Sequence, residues 1–504
     1  MYPPKEGIPG VEPGSLLKIL KGAYGLREAP RLWYLKAREV IQAAGFEELG
    51  TAKAVFVLRD KTKEGSPLCS MMVLHVDDAC FAGQGEYYES TMKNMLGNLN
   101  IKEVKETEFD FLGRHIKQND DWSITVDQHK YVMALEKVMI PKARRQQSNA
   151  KLNAKEEHDY RSIVGQLAWP ARETMPQLAY AVSDLQQKTA IATVHDLVHA
   201  NNVLGLAKRW AVEDKQQLIF HAFDGDIAVN FLYSENDRRT IKWKTMERKT
   251  ALGIAAVHDA SFMGQPGHGS QLGYAIMLGP VSLYDGPAVT HLLDWGSSKI
   301  HRKVGSTLAA EANSATKAYD RAMYARAMIY EIEKGRDKKW TEMCKEVPFC
   351  LGTDCKSLYD LCNKVGSVPQ EKRVALDLMD VREGIESFGD KVRWVPTDHM
   401  LVDCMTKFMP PPVLMAYLKT GKYSFKFDNE IKNTKRTAAK ERKVIRDQKL
   451  GISHLSIKEQ KKEIHRRKQL LLPIGERTQE CAVQPKSNWE VDESGNFHAP
   501  TKRY

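Results

Sequence analysis

The stretch Val73–Ala82 reads V-L-H-V-D-D-A-C-F-A and places two adjacent aspartates, Asp77 and Asp78, between two apolar runs. Each run has the length of a buried strand, so the pattern predicts a β-hairpin with the acidic pair at its turn. Two neighbouring carboxylates repel each other, and a divalent cation relieves that repulsion. Aspartate is also a common turn residue, so these ten residues alone leave a cation site and an ordinary turn equally open.

Three further motifs lie around this stretch. Leu20–Tyr34, L-K-G-A-Y-G-L-R-E-A-P-R-L-W-Y, precedes it, and Phe109–Ile116, F-D-F-L-G-R-H-I, and Tyr160–Leu167, Y-R-S-I-V-G-Q-L, follow it. In order and approximate spacing, the four segments resemble the reverse transcriptase motifs of Ty1/copia-type retrotransposon Pol polyproteins. The resemblance implies the C-terminal part of a reverse transcriptase followed by a ribonuclease H domain.

The composition agrees with a globular, multidomain chain. At 504 residues, with 42% hydrophobic and 28% charged residues, the chain is long enough for about three domains. No apolar run approaches the roughly 20 residues of a membrane span, and the N-terminus has no signal-peptide pattern. The eight cysteines show no disulfide or zinc-site spacing. We therefore expect reduced thiols, no membrane partner and a cytoplasmic or nuclear location.

The positive charge is concentrated near the C-terminus. Residues 431–470 carry a net charge of +10, whereas the whole chain carries +11. The densest cluster consists of Lys461, Lys462, Arg466, Arg467 and Lys468. This cluster suits nucleic-acid phosphates or a nuclear import signal, but a solubilising, partly disordered extension is an equal alternative.

Hydrophobic periodicity and the resemblance together predict an α/β and α+β multidomain chain. The expected divisions are a partial reverse transcriptase palm at 1–145, a helical thumb/connection at 146–235, a linker at 236–250, a ribonuclease H-like mixed-sheet domain at 251–412 and a basic helical, partly disordered tail at 413–504.

The first two divisions are predicted from short periodic segments. In the palm they are a helix, a strand, a second helix and a hairpin, at Glu28–Ile41, Ala54–Leu58, Gln84–Leu96 and Phe109–Val126. The hairpin is expected to pair Phe109–Ile116 as one strand with Trp122–Val126. The thumb is expected to contain helices broken at Pro170 and Pro176, followed by a helix from His195 to Trp210.

The ribonuclease H-like division begins with three strands, a long helix and then alternating strands and helices. The strands are expected at Ala251–Val257, Leu272–Leu278, Val289–Trp295, Phe349–Thr353 and Lys391–Val395. The helices are expected at Thr307–Lys334, Glu371–Ser387 and Leu401–Phe408. This is the order of the ribonuclease H fold, in which helices cover a mixed sheet.

Four acidic residues occupy the positions that the resemblance assigns to the ribonuclease H site. Asp259 ends the first strand, Glu311 lies in the first turns of the long helix, Asp354 follows the fourth strand, and Asp403 begins the D-C-M-T-K segment. The resemblance implies that these catalytic carboxylates hold two Mg²⁺ ions, with Mn²⁺ as a substitute. Taken singly, each is more simply explained by an ordinary role: Asp259 and Asp354 as helix caps or turn residues, and Glu311 as an acidic residue favoured near a helix N-terminus.

The same resemblance implies the substrate and the reaction. The expected reaction is two-metal hydrolysis of the RNA strand of an RNA–DNA hybrid, so RNA, DNA and their hybrid are the expected partners. The oligomeric state is left open. His399 lies near the position where other ribonucleases H use a histidine for product release, but we expect a surface role.

Polymerase activity is not expected from these residues. Besides Asp77 and Asp78, the family uses a third carboxylate in a D-V-x-x-A-F-L stretch, and the only acidic residues before Tyr24 are Glu6 and Glu12. We therefore expect an N-terminally truncated reverse transcriptase, with an incomplete metal site at the hairpin. Glu28 also replaces the glutamine of the family's Y-G-L-K-Q.

Two functions from different classes remain open. The first is a ribonuclease H-type enzyme, and the second is a catalytically inactive relic that binds nucleic acid. Four basic residues of the thumb are candidates for phosphate contacts in either case, although solvated helix faces explain them more simply: Arg161, Lys188, Lys208 and Arg209.

Overall fold

The computed structural model describes residues 25–223, 252–425 and several shorter pieces, with small gaps at 100, 102, 266–268, 285 and 365. Two compact units divide the chain. The first contains Met1–Val126, Ala222–Thr250 and Arg321–Pro348, and the second contains Asp127–His221, Ala251–Asp320 and Phe349–Tyr504. The architecture is mixed α/β, as expected, whereas the finer domain boundaries remain predictions.

The helices of the described residues are, in chain order, α1 (Ala29–Ala43), α2 (Glu86–Leu99), α3 (His129–Ala134), α4 (Lys142–Arg145), α5 (Ala154–Glu173), α6 (Ala179–Gln187), α7 (Val194–Val212), α8 (Thr307–Lys334), α9 (Trp340–Glu346), α10 (Lys356–Asn363), α11 (Lys372–Asp377), α12 (Met379–Phe388) and α13 (Pro412–Thr420). Short 3₁₀ turns lie at Pro176–Leu178, Val281–Tyr284, Thr397–His399 and Asp403–Met405.

The strands of the described residues are, in chain order, β1 (Glu47–Glu48), β2 (Val55–Arg59), β3 (Leu68–His75), β4 (Asp78–Gly83), β5 (Glu108–Phe111), β6 (Arg114–Gln118), β7 (Ile124–Asp127), β8 (Leu218–Phe220), β9 (Phe231–Ser234), β10 (Asp237–Trp243), β11 (Leu252–Gln265), β12 (Gly269–Pro280), β13 (Ala288–Val289), β14 (His291–Lys299), β15 (Phe349–Thr353), β16 (Lys391–Trp394), β17 (Lys422–Tyr423), β18 (Glu490–Val491) and β19 (Phe497–His498).

The first unit contains an antiparallel sheet in the order β1-β2-β3-β4. Along β3, Ser70, Met72 and Leu74 are buried while the residues between them are more exposed, which is typical of a strand with one covered face. Helices α1 and α2 contribute Ile41 and Met95 to the core on that face. The helices and strands predicted around the Asp-Asp hairpin are therefore present.

The prediction of one strand over Phe109–Ile116 is wrong, because this segment is itself a hairpin of β5 and β6. Leu112 and Gly113 form its two-residue turn with φ angles of 49° and 66°. Glycine adopts this left-handed conformation readily, whereas leucine rarely does. Gly113 is typical of such a turn, but Leu112 beside it made the segment resemble a continuous strand.

In the first unit, the C-terminal turns of α8 bind the region around β2. The Glu331 carboxylate accepts hydrogen bonds from the amides of Gly50 and Thr51 at 2.7 and 2.9 Å. The Arg59 guanidinium donates to the carbonyls of residues 331–333 over 2.7–3.0 Å. Because carbonyls at a helix end have few partners within the helix, these bonds stabilise both the helix end and the sheet.

In the second unit, α5, α6 and α7 surround a core that includes Tyr160, Leu167, Leu185 and Leu197. An asparagine capping box begins α5, in which the Asn153 side chain accepts a hydrogen bond from the Glu156 amide at 3.0 Å.

The prediction that Pro170 breaks the helix is wrong, since α5 continues through Pro170 to Glu173. Proline cannot donate a hydrogen bond to the carbonyl four residues earlier, which belongs to Gln166. The Tyr131 hydroxyl donates to that carbonyl instead, at 3.1 Å. A partner distant in sequence therefore removes part of the cost of the proline, whereas Pro176 begins a new 3₁₀ turn as expected.

The second unit also contains a five-stranded sheet in the order β14-β12-β11-β15-β16. The strands β14, β12 and β11 are antiparallel neighbours, and β15 and β16 run parallel to β11. The alanine-rich N-terminal half of α8 lies close to this sheet: the Ser314 hydroxyl donates to the carbonyls of Asp259 and Gly273 at 2.9 and 3.2 Å. The order of strands and helices is the one predicted.

Three details of this region differ from the prediction. Strand β11 continues beyond Asp259 to Gln265, because β12 is long enough to pair with it there. The helix expected over Glu371–Ser387 is divided into α11 and α12 at Leu378. The helix expected over Leu401–Phe408 is reduced to the 3₁₀ turn Asp403–Met405, and the Ser297 hydroxyl of β14 donates to the Met405 carbonyl at 2.6 Å.

Part of the expected linker at 236–250 is strand β10, which pairs with β9. The basic cluster of the tail, Lys461, Lys462, Arg466, Arg467 and Lys468, lies outside the described residues. Among the described residues, no helix has the length and apolar character needed to cross a bilayer.

Candidate metal centre

Asp259 lies within the central strand of the second unit's sheet. Asp259 pairs with Gly273 of β12 and is only 5% exposed. The preceding residues Ile254–Val257 are fully buried and hold β11 in the middle of the sheet. The chain therefore fixes this carboxylate on rigid backbone rather than on a loop.

Asp354 and Glu311 come to the same place from different elements. Asp354 follows β15, which is the parallel neighbour of β11 and pairs Thr353 with His258. Glu311 lies in the second turn of α8 and is 4% exposed. Carboxylate oxygens of Asp259, Glu311 and Asp354 lie within 4.8 Å of one another, which is close enough for one ion to contact all three.

Asp403 is adjacent to this carboxylate cluster of Asp259, Glu311 and Asp354, but is not one of the three. It begins a 3₁₀ turn, and its carboxylate forms an ion pair with the Lys407 ammonium. Burial is the largest cause of the raised pKa of Asp259 and of Asp354, and the charge of Asp403 adds to both, so Asp403 acts on two members of the cluster. The structure thus groups three of them directly and places the fourth beside a lysine.

The cluster holds its protons more tightly than carboxylates in water. Burial, together with the charge of Asp354, raises the pKa of Asp259 to about 7. Burial and the charges of Asp259 and Asp354 raise the pKa of Glu311 well above its usual range. Burial also raises the pKa of Asp354, although a hydrogen bond with Thr397 opposes it. Buried like charges of this kind are stabilised by a cation.

Sequence reasoning assigned no role to several neighbours of the cluster. The Thr406 hydroxyl donates a hydrogen bond to Asp259, and the charges of Asp259 and Asp403 raise the pKa of Lys407 although its burial opposes this. His258 is fully buried with its Nδ1 atom 3.6 Å from Glu311 Oε2. Burial lowers the pKa of His258 to about 3, so the ring is neutral. For two of these residues, Thr406 and Lys407, the sequence signal was their place in the D-C-M-T-K segment.

The donor set fits a hard divalent cation. All three residues of the cluster offer carboxylate oxygens, which Mg²⁺ and Mn²⁺ prefer over nitrogen or sulfur. Oε2 of Glu311 is buried and accepts no hydrogen bond among the described residues. A buried carboxylate oxygen of this kind is costly unless it receives a partner. Asp259, Glu311 and Asp354 would therefore hold the ion, with Asp403 available after separation from Lys407.

Gly273 permits the close approach of the segment that carries Thr406 and Lys407. A Cβ atom at this position would lie 2.9 Å from Met405 Cβ and 3.0 Å from Thr406 Cγ2. Both distances are shorter than ordinary van der Waals contact, so the segment lies against β12 only because the side chain is absent.

We expect Gly273→Val to lower the free energy of unfolding by about 1–3 kcal/mol, because it forces this segment away from β12. Chemical denaturation measures the change. Gly165→Ala is the control, since its site in α5 is open and alanine should stabilise the helix by about 0.5–1 kcal/mol. Equal stability of Gly273→Val and the parent protein would contradict the packing described here.

The acidic pair of the first unit lies at the predicted hairpin turn. His75 pairs with Asp78, so the turn consists of Val76 and Asp77, and both aspartates are exposed. The Trp33 indole donates to the Val76 carbonyl at 2.6 Å. Within the part of the chain that the structure describes, no third acidic, histidine or cysteine ligand joins Asp77 and Asp78.

The other predicted residues have ordinary partners. Lys188 is bound by Asp184 and Asp196 at 2.8 and 3.3 Å, which argues against a free phosphate-binding role. Lys208 donates to the Met133 carbonyl. Arg161 forms an exposed ion pair with Glu157, and Arg209 also has a partner.

His399 is half-buried rather than on the surface as expected. Its ring stacks on Tyr423 with a centroid separation of 5.6 Å.

Comparison with known proteins gives relatives over most of the chain. The chain is 24% identical over 410 residues to the retrovirus-related Pol polyprotein from transposon RE1 of Arabidopsis thaliana, and 24% identical over 408 residues to that from transposon RE2. Each alignment covers 78% of this chain, which spans only 24% of the length of each relative. No protein-family model matches the chain.

Two solved structures are similar to parts of this chain. Ribonuclease H1 from Halobacterium salinarum NRC-1 has 14% identity and a TM-score of 0.19, covering 29% of this chain and 86% of that protein. The foamy viral protease-reverse transcriptase in complex with RNA/DNA hybrid has 9% identity and a TM-score of 0.21, covering 74% and 59%. In sequence the chain is thus similar to the retrovirus-related Pol polyproteins of transposons, as its motifs predicted.

Proposed function

We propose that this chain is a retrotransposon-derived reverse transcriptase/ribonuclease H fragment that hydrolyses the RNA strand of RNA–DNA hybrids. The observation that carries the proposal is the meeting of Asp259, Glu311 and Asp354, from a central strand, a long helix and a parallel neighbouring strand, within 4.8 Å. The mixed five-stranded sheet supports a ribonuclease H-like domain, because the resemblance implies a mixed sheet built from these strands in this order along the chain.

The carboxylate cluster and two threonines beside it have distinct tasks in this reaction. The carboxylates of Asp259, Glu311 and Asp354 would hold divalent cations, which would provide an activated water and stabilise the charge that develops on the phosphate. The Thr406 hydroxyl orients Asp259, and Thr397 orients Asp354 by hydrogen bonds to their carboxylates. Fixed ligands are important because a displacement of about 1 Å can reduce a rate 10²-fold.

The discriminating experiment compares four labelled substrates with the purified 504-residue chain in Mg²⁺: an RNA–DNA hybrid, duplex RNA, single-stranded RNA and duplex DNA. We expect cleavage of the RNA strand in the hybrid and no cleavage of the other three, with loss of activity in EDTA. Binding of the hybrid without cleavage would support the inactive, nucleic-acid-binding alternative.

Polymerase activity of the same polypeptide is a separate question. We expect no primer extension on an RNA template with Mg²⁺ or Mn²⁺, because Asp77 and Asp78 have no third ligand among the described residues and both are exposed. In-line attack by a primer hydroxyl requires ions at fixed positions. Extension above background by a preparation free of other polymerases would contradict this expectation.

The basic cluster of the tail is proposed to bind nucleic-acid phosphates. Deleting residues 431–504, which include Lys461, Lys462, Arg466, Arg467 and Lys468, is expected to weaken hybrid binding and its salt dependence. Each phosphate contact contributes about 0.9 to the slope of log affinity against log salt on duplex. Fluorescence anisotropy at several salt concentrations measures this slope. An unchanged slope would show that the cluster does not contact the backbone.

A further inference from the structure

Among the described residues, Lys407 lies beside the carboxylate cluster and carries a charge that no step of the proposed reaction uses. Its ammonium forms an ion pair with Asp403, and its side chain is 33% exposed while that of Asp403 is 15% exposed. The positive charge also acts on Asp259, Glu311 and Asp354. It therefore contacts Asp403 and also acts electrostatically on the three carboxylates of the cluster.

The backbone on which Lys407 lies is held firmly against the sheet. The Met405 carbonyl accepts a hydrogen bond from Ser297 at 2.6 Å, and the Thr406 hydroxyl donates to Asp259. The absence of a side chain at Gly273 permits this approach. The position of the Lys407 ammonium beside Asp403 is therefore set by a segment that is bonded to the sheet.

We propose that Lys407 is an internal counter-cation: its ammonium neutralises part of the carboxylate cluster and must leave Asp403 before that carboxylate can bind a divalent cation. This inference rests on the proposed cation site. An ammonium and a divalent cation compete for the same oxygens, and in a partly buried site two positive charges a few ångströms apart repel strongly. Lys407 would thus weaken binding of an ion on the Asp403 side of the cluster and stabilise the protein in its absence.

The test is calorimetric titration of the full chain with Mn²⁺ alone, in the absence of nucleic acid. Lys407→Gln removes the charge, and we expect it to bind Mn²⁺ about tenfold or more tightly than the parent chain in the weaker binding event. Lys407→Arg keeps the charge and should stay within about threefold of the parent. Without divalent cation, Lys407→Gln should melt at a lower temperature, and Mn²⁺ should raise its melting temperature more than that of the parent.

Lys364→Gln is the matched control, because Asp360 of α10 and the exposed Lys364 that follows the helix form an ion pair at 3.6 Å with the same order and spacing as Asp403 and Lys407. It should leave Mn²⁺ affinity unchanged. Lys407→Met serves as a second uncharged variant if Lys407→Gln does not fold.

The outcomes separate this inference from the proposed function. A parent chain that binds Mn²⁺, together with uncharged variants of equal or weaker affinity, would overturn the role of Lys407 alone. A parent chain that binds no Mn²⁺, and an Asp354→Asn variant identical to it, would overturn the cation site itself. Tighter binding in the uncharged variants and unchanged binding in Lys364→Gln would support the counter-cation.

Discussion

Asp354→Asn is expected to reduce cleavage of the RNA strand of an RNA–DNA hybrid by about 10²-fold or more. The substitution removes a ligand charge from the cluster while keeping the size of the side chain and its position after β15. Loss of one preorganised group that stabilises developing charge commonly costs about 10²–10³ in rate, or roughly 3 kcal/mol. Single-turnover cleavage of a labelled hybrid in saturating Mg²⁺ measures the change.

The control for this substitution is Glu386→Gln, which makes the same exchange of a carboxylate for an amide on the exposed surface of α12. It should cleave at the rate of the parent chain. Hybrid affinity should change much less than the cleavage rate in Asp354→Asn, because the carboxylate would hold a cation that acts on the reacting phosphate. Equal cleavage by Asp354→Asn and the parent chain would remove Asp354 from the site.

The second large effect is on stability in the absence of divalent cations. The pKa of Asp259 is raised from an ordinary 3.8 to about 7 by burial and by Asp354. The folded state therefore binds this proton more tightly than the unfolded state, so the free energy of unfolding falls as pH rises from about 4 to 7. Asp259→Asn removes this cost and should be more stable than the parent chain by as much as about 4 kcal/mol near pH 8.

The difference in stability between Asp259→Asn and the parent should shrink to near zero at pH 3.5. Comparing the two proteins isolates Asp259 from His258, whose lowered pKa produces the opposite dependence on pH. Saturating Mg²⁺ should reverse the order at pH 8, because it stabilises only a protein that binds it. Urea denaturation at several pH values measures the differences, and a difference that does not vary with pH would contradict the buried charge of Asp259.

Much of the fold could be predicted from the sequence because local patterns and overall order agree in the second unit. The bounds of Thr307–Lys334 and Phe349–Thr353 are those expected, since a long alanine-rich helix and a short apolar strand are strong local signals. The meeting of Asp259, Glu311 and Asp354 follows from that order, because parallel neighbouring strands bring β11 and the end of β15 together.

The errors arise where a distant residue changes a local preference. Helix α5 continues through Pro170, where the Tyr131 hydroxyl binds the Gln166 carbonyl that the proline leaves without its usual donor. The expected helix at 401–408 is replaced by a 3₁₀ turn, after which the Thr406 hydroxyl binds Asp259 and the Met405 carbonyl binds Ser297. Neither partner is near in sequence, so periodicity alone could not reveal these bonds.

The pairing of Asp403 with Lys407 illustrates the same limit within the site. The spacing of four residues would suit neighbours on a helix, but the chain forms only a 3₁₀ turn at Asp403–Met405. The ion pair instead depends on a segment held by Ser297 and Gly273. The sequence motif indicated Asp403, which the structure places beside the cluster, whereas its ion pair with Lys407 became evident only from the packing.

We infer that this carboxylate cluster binds the divalent cation of a ribonuclease H-type site. Anomalous diffraction from crystals of the 504-residue chain grown with Mn²⁺ would locate that ion. We expect a manganese peak at coordination distance from carboxylate oxygens of Asp259, Glu311 and Asp354, and loss of that peak in Asp354→Asn. Crystals of cleavage-competent protein with no manganese at these three carboxylates would contradict the claim.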